Sequence, residues 1–198
     1  MLRTPNAPMT RNNRIVAMFL FFIIVTLVMN VLVALSGNNF KMMIITGLLW
    51  INDLVMFTVI WRSESSFIER DTDVSFVSLM ETFDAESLCP FCRVIRLPQS
   101  RHCNICNRCV ERYDHHCPWV NNCVGRTNHL YFYIHLILVL LYCICSMINA
   151  LLTLFKAEDG VSTTNQVPEI IITASTFTLI TLAVLFGVLI TILIVYQT

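Results

Sequence analysis

The stretch that decides the fold covers residues 89–123 and reads CPFCRVIRLPQSRHCNICNRCVERYDHHCPWVNNC. It holds seven of the nine cysteines in the chain. One pattern of cysteine and histidine, with successive spacings of 3, 10 and 7 residues, occurs twice in it with a shift of 14. Each copy offers three cysteines and one histidine, a ligand set that tetrahedral structural zinc takes. We therefore predict two interleaved Zn²⁺ sites, with ligands Cys89, Cys92, His102 and Cys109 in one and Cys103, Cys106, His116 and Cys123 in the other.

The repeat leaves two side chains without a metal-binding counterpart. Cys117 stands where a third copy would begin, but Val120 occupies the position of its partner cysteine. His115 is also left over, because an arginine lies 14 residues before it. With Asp114 beside them, these residues have the composition of an activated thiol, in which an imidazole takes the thiol proton and a carboxylate orients the ring. The alternative is that Cys117 binds zinc and another cysteine is free.

The rest of the chain is dominated by apolar residues. Of its 198 residues 56% are hydrophobic and 13% charged, and the mean hydropathy of +0.69 is too high for a soluble domain of this size. The net charge of zero does not indicate nucleic acid as a partner. Four stretches reach the length of about 20 residues that a bilayer crossing needs, namely 15–35, 42–61, 130–155 and 170–196. The first is also open to interpretation as a signal peptide, although its apolar core is longer than usual.

Arginine positions predict the orientation of these spans. Eight arginines lie between the second and third spans and three precede the first, whereas the two short loops carry one lysine each. Positive residues concentrate on the cytosolic side, so we expect both termini and the central segment there. In that reducing compartment, clustered cysteines bind metal rather than form disulfides.

The predicted fold class is a membrane all-α protein with four transmembrane helices. A cytosolic, zinc-bound, cysteine-rich domain lies between helices 2 and 3. The predicted boundaries are a cytosolic N-terminus at 1–14, transmembrane helices 1 and 2 in 15–61, a cytosolic linker at 62–88, the zinc domain at 89–129, and transmembrane helices 3 and 4 in 130–198.

Residues 89–132 resemble the cysteine-rich domain of the DHHC palmitoyltransferases. The shared motifs are C-x2-C, H-C-x2-C-x2-C and D-H-H-C-P-W-V-N-N-C-V-G, followed by Asn128 and two aromatic residues. The resemblance implies the same two zinc quartets. It also implies Cys117 as the nucleophile, His115 as its base and Asp114 as the residue that orients the base.

The same resemblance implies a protein S-acyltransferase that works in two steps. Cys117 would take the chain of a long-chain acyl-CoA, such as palmitoyl-CoA, and pass it to a cytosolic cysteine of a membrane-associated protein. The acyl tail would enter an apolar cavity among the helices, and the two zinc ions would be structural. The expected location is the Golgi, the endoplasmic reticulum or the plasma membrane, with no nucleic acid as partner.

Two features of that family are missing. No Asp-Pro-Gly follows the second span, where residues 62–66 read RSESS, and no Thr-Thr-x-Glu follows the fourth. This leaves an alternative of a different class, a catalytically weak or inactive zinc-bearing membrane adaptor.

Polar residues within and beside the spans carry their own predictions. Asn30 and Asn149 are expected to hydrogen-bond between helices. Asp53 is expected to make an interhelical hydrogen bond or to stay neutral, with a role in the acyl cavity or a partner contact as the alternative. His129 is interpreted as an interfacial residue, with a contact to the catalytic loop or to CoA as the alternative.

Overall fold

The structure is a computed structural model that describes residues 13–37, 39–64, 66–70, 73–158 and 169–197. Its α-helices are α1 (Asn13–Ser36), α2 (Phe40–Arg62), α3 (Phe76–Thr82), α4 (His129–Glu158) and α5 (Glu169–Gln197). The four long helices cover the four predicted apolar stretches, because an apolar run without proline can satisfy every backbone hydrogen bond within the helix. The short helix α3 was not predicted.

Three helices in the described residues are long and apolar enough to cross a membrane. They are Phe40–Arg62, His129–Lys156 and Ile170–Val195, whereas Leu20–Ser36 in α1 counts only as a shorter apolar helix. The three helices fit a membrane protein. The fourth crossing and the cytosolic orientation stay predictions.

The cysteine-rich stretch folds into three β-hairpins, which the all-α prediction did not include. Antiparallel pairing joins β1 (Leu88–Cys89) to β2 (Val94–Ile95), β3 (Arg101–Cys103) to β4 (Arg108–Val110), and β5 (His115–Cys117) to β6 (Asn122–Val124). Strands this short show no recognisable alternation of apolar and polar residues, so pattern analysis does not detect them. The corrected description is a mostly helical chain with a hairpin-containing, cysteine-rich region.

The three hairpins have the same register. Their turns follow Cys89, Cys103 and Cys117, which pair with Val94, Arg108 and Asn122 respectively. The last turn residue has a positive φ in each hairpin, at Arg93 (57°), Asn107 (54°) and Asn121 (45°). Asparagine tolerates this left-handed conformation better than most residues. The 14-residue repeat is thus also a structural repeat, and it includes the hairpin of Cys117.

Contacts divide the chain into two units, of which one joins Met18–Phe57 to Tyr133–Thr198. Polar side chains connect the helices of this unit. The Asn30 Nδ2 donates to Tyr142 Oη at 2.8 Å and to Ser146 Oγ at 3.0 Å, and Asn149 Nδ2 donates to the Asn30 carbonyl at 3.2 Å. The predicted interhelical hydrogen bonds of both asparagines are confirmed.

A small cavity of about 70 Å³ lies within the same unit. Most of its wall is apolar or aromatic, including Phe22, Trp50 and Phe186, but Asp53 also lines it. Asp53 Oδ1 lies 2.7 Å from His135 Nδ1, in an ion-pair contact without hydrogen-bond geometry. Asp53 therefore has a partner on another helix, although not through the expected hydrogen bond, and a role in an acyl cavity stays a prediction.

The other unit joins Met1–Ala17 to Thr58–Phe132 and contains the hairpins. A segment after α2 adds an edge to the second hairpin: Phe67 bridges to Val110, and Ile68 N donates to the Cys109 carbonyl at 2.9 Å. The chain rejoins the hairpins at Ser87, whose carbonyl accepts from Arg96 N at 2.7 Å. Helix α3 lies between these two attachments.

Candidate functional site

Two consecutive hairpins build each cluster of predicted zinc ligands. The turn of one hairpin supplies a C-x2-C pair, and the next hairpin supplies a histidine and a cysteine that face each other across its two strands. A metal ion in each cluster would therefore link one hairpin to the next. The two clusters that the fold brings together are Cys89, Cys92, His102 and Cys109, and Cys103, Cys106, His116 and Cys123.

The first cluster has its ligand atoms around the His102 ring. His102 Nδ1 lies 3.1 Å from Cys92 Sγ, 3.7 Å from Cys89 Sγ and 4.0 Å from Cys109 Sγ. Zn–S bonds of about 2.3 Å and a Zn–N bond of about 2.0 Å place tetrahedral ligand atoms about 3.5–3.8 Å apart. The observed separations scatter around this range, so the cluster is compatible with one Zn²⁺.

The second cluster has the same composition and similar dimensions. His116 Nδ1 lies 3.3 Å from Cys106 Sγ and 3.6 Å from Cys123 Sγ, and the two sulfur atoms are 3.2 Å apart. In both clusters the four ligand atoms lie within 4.8 Å of one another. Both quartets therefore fit zinc in donor type and in spacing, and they are the metal-compatible groups in the described residues.

Cys117 has the position in the third hairpin that the first cysteine of each C-x2-C pair has in the other two, but the turn that follows it has Val120 in place of the second cysteine. Its counterpart Cys103 accepts the backbone N–H of Cys106 at 3.4 Å. The side chain of Cys117 is buried. Burial raises the pKa of the Cys117 thiol, and the backbone N–H groups of Val120 and Trp119 partly oppose that shift. The thiol therefore has donors that favour a thiolate, yet it needs a base.

Asp114, three residues before Cys117 in the chain, lies between two histidines. Its Oδ1 is 3.4 Å from His115 Nδ1, and its Oδ2 is 3.6 Å from His129 Nε2. The His115 ring also packs edge-on against Phe132, with 5.2 Å between ring centroids. The contact of His129 with Asp114 agrees with the alternative prediction, a contact with the catalytic loop, rather than with a purely interfacial residue. The separation of 15 residues carries no helical or strand signal that would have revealed it.

Two buried asparagines hold the third hairpin in place. Asn122 Nδ2 donates to the carbonyls of Ile60 at 2.9 Å and Ser63 at 2.8 Å, at the C-terminal end of α2. Asn128 Nδ2 donates to Ser63 Oγ and to the Cys123 carbonyl, both at 2.9 Å. The bonds of Asn122 satisfy free carbonyls at the end of α2 and attach the hairpin of Cys117 to that end of the helix.

Most arginines of the cysteine-rich region are exposed, and two have defined contacts. Arg126 pairs with Glu111 at 2.6 Å, and the Arg108 guanidinium lies 4.3 Å from the Phe67 ring centroid.

Comparison with known proteins gives a consistent picture. The profile of the DHHC palmitoyltransferase family matches residues 82–198. The chain is 31% identical over 123 residues to palmitoyltransferase Hip14 of Drosophila melanogaster, which covers 50% of this chain and 19% of that protein. It is 43% identical over 93 residues to palmitoyltransferase ZDHHC17 of Homo sapiens, which covers 44% of this chain and 15% of that protein. The chain thus spans less than a fifth of the length of these relatives.

Proposed function

The chain belongs to the DHHC palmitoyltransferase family, and on that premise we propose that it is a protein S-acyltransferase with Cys117 as the acyl carrier. Family membership supports the acyltransferase class. The roles of individual residues, the acyl-CoA co-substrate and the acceptor proteins are the finer parts of the proposal. The co-substrate and the acceptors are what the family resemblance implies, and the residue roles are also supported by the composition of the third hairpin.

In the first step, the Cys117 sulfur attacks the thioester carbonyl of a long-chain acyl-CoA. His115 takes the thiol proton, and Asp114 orients the ring and stabilises the imidazolium. The new bond joins the acyl carbon to Cys117, the bond to the CoA sulfur breaks, and the departing CoA thiolate takes the proton from His115. One thioester replaces another, so the free energy of reaction is small.

In the second step, the thiol of an acceptor protein gives its proton to His115 and attacks the acyl carbon on Cys117. The acyl chain moves to the acceptor cysteine, and the Cys117 thiolate recovers the proton. Acceptors are membrane-associated proteins with cytosolic cysteines. The enzyme contributes a nucleophile, a base and the positioning of both reactants.

We also propose that the eight cysteines and histidines of the two quartets would hold two structural zinc ions. Zinc supplies charge neutralisation of the thiolates and cross-links between hairpins, which stabilises a region with few large apolar residues. The second ion would be bound by His116, which precedes Cys117 directly. We also propose that four spans place this region in the cytosol and that the acyl tail enters an apolar cavity among the helices.

One observation supports the proposal most strongly. Cys117 has the same place in its hairpin as the zinc-ligand candidates Cys89 and Cys103 have in theirs, but it belongs to neither quartet. The Cys106 amide donates to Cys103 at the equivalent position of the second hairpin; at Cys117, burial raises the pKa of the thiol and the backbone amides of Val120 and Trp119 oppose that shift. In a metal site such amides stabilise bound thiolate. Without a metal, the same amides stabilise a free thiolate that can act as a nucleophile.

Self-acylation tests this proposal. The purified chain in detergent is incubated with labelled palmitoyl-CoA and then treated with neutral hydroxylamine, which cleaves thioesters. We expect hydroxylamine-labile label in the wild type and in the control Cys145→Ala, a cysteine in α4, but none in Cys117→Ala. Retention of label in Cys117→Ala would overturn the assignment of the nucleophile. No label in a wild type that holds two zinc ions would favour the zinc-bearing adaptor.

A further inference from the structure

Helix α3 presents an apolar surface that the described part of the protein does not cover. Phe76, Leu79, Met80 and Phe83 follow the i, i+3, i+4, i+7 spacing of one helix face, and Val77 adjoins this face one turn before Met80. None of the helix residues is buried, and Val77, Met80 and Phe83 are 60%, 53% and 41% exposed. A helix of seven residues is too short to be stable by itself. Its apolar face therefore needs a partner.

The helix is nevertheless held in a defined place. Ser75 caps its N-terminus, with its hydroxyl accepting from Ser78 N at 3.1 Å, and Phe83 N donates to the Leu79 carbonyl at 2.9 Å. The chain is attached to the hairpins before the helix at Ile68 and after it at Ser87. An amphipathic helix that is capped and attached at both sides is presented for contact, which reduces the ordering cost of binding.

Acidic side chains surround the apolar face. Glu81, Asp84 and Glu86 are exposed, and none of them makes an ion pair with another described residue. Glu69, which precedes the helix, is exposed as well. An anionic membrane surface repels such a rim, because cytosolic leaflets carry negative charge. A protein groove lined by lysine or arginine complements it.

We propose that α3 is a docking site for a protein partner that offers an apolar groove rimmed by basic side chains. Val77, Met80 and Phe83 enter the groove, and Glu81, Asp84 and Glu86 face its basic rim. Binding of an amphipathic helix in a groove is a common mode of recognition. The proposal concerns a surface distinct from Cys117 and does not depend on acyl transfer.

The test uses the full chain in nanodiscs of phosphatidylcholine and a labelled probe peptide. The probe is an amphipathic peptide with leucines on one face and lysines on the other, and the matched control peptide has glutamates in place of the lysines. We expect the lysine peptide to bind more tightly, with an affinity that falls as salt is raised. Val77→Ser with Met80→Ser should weaken binding about tenfold or more. Ile105→Ser, at a residue 63% exposed on a knuckle turn, should leave it unchanged.

Charge reversal gives a second, independent readout. Glu81→Lys with Glu86→Lys should lose the lysine peptide and gain the glutamate peptide. Equal binding of both peptides by the wild type, or unchanged binding by the serine variant, would overturn the proposal. Quenching of the tryptophan fluorescence of Met80→Trp by spin-labelled lipid would assign α3 to the bilayer and would also overturn the proposal. Dimerisation that the serine variant abolishes would assign the face to a second copy and would equally contradict it.

Discussion

Replacement of Asn128 by aspartate should destabilise the hairpin that carries Cys117. The Asn128 side chain is 0% exposed; it accepts from Gly125 N at 2.9 Å and donates to Ser63 Oγ and the Cys123 carbonyl. Aspartate has the same shape and keeps the acceptor, but it lacks both donors. The Ser63 hydroxyl can rotate and donate to the new carboxylate, whereas the Cys123 carbonyl then faces an oxygen. Loss of the donor bonds and burial of a carboxyl group together cost about 3–5 kcal/mol.

Thermal unfolding of the purified chain, followed by tryptophan fluorescence, measures this loss. For a unit of this size about 1 kcal/mol corresponds to about 4–8 °C in Tm, so Asn128→Asp should lower Tm by at least about 10 °C. Asn104→Asp is the matched control, because Asn104 is an exposed turn residue of the second hairpin. Its effect should stay within about 0.5 kcal/mol. If the two variants unfold at the same temperature, the three bonds do not contribute as argued.

Further predictions concern the residues around the thiol. His129→Leu should slow self-acylation by less than about tenfold, because the contact of His129 with Asp114 is long and half-exposed. His129→Gln should restore part of the rate. A loss of zinc in His129→Leu would contradict a role through Asp114. Cys106→Ser should lower bound zinc from about two to about one per chain and abolish labelling of Cys117, while Cys145→Ser retains both, as elemental analysis would show. Because burial raises the pKa of the Cys117 thiol above its ordinary value, alkylation of Cys117 in His115→Ala should still accelerate with pH where an ordinary thiol is already ionised. A plateau near neutral pH would refute the direction of this shift.

Much of the fold could be predicted from local patterns. The four long helices begin and end within three residues of the predicted apolar stretches, because hydropathy over a span is a property of consecutive residues. The hairpins could not be predicted in that way, since strands of two or three residues carry too little pattern. Helix α3 was missed because an apolar pattern over about two turns is too short to distinguish a helix from a loop.

In the candidate site too, contacts that depend on local spacing could be predicted and contacts that depend on packing could not. Spacing predicts which cysteines and histidines form each quartet, because the turn of a C-x2-C pair constrains its two sulfurs, and the 14-residue repeat identifies Cys117 as the knuckle cysteine without a partner. The third hairpin supports that distinction, with Val120 in the partner position and two backbone amides that oppose the rise in the pKa of the Cys117 thiol. The assignment of Cys117 as nucleophile stays a proposal for the acylation assay.

The sequence by itself determined the repeat, the ligand types and the apolar spans, all of which depend on residues near one another in the chain. Only the tertiary structure decided that Asp114 also contacts His129, that Asn122 binds carbonyls about 60 residues earlier at Ile60, and that Asp53 pairs with His135. Such contacts depend on how helices and hairpins pack. Packing is determined by many small interactions over the whole fold, so the spacing of residues in the sequence does not predict these contacts.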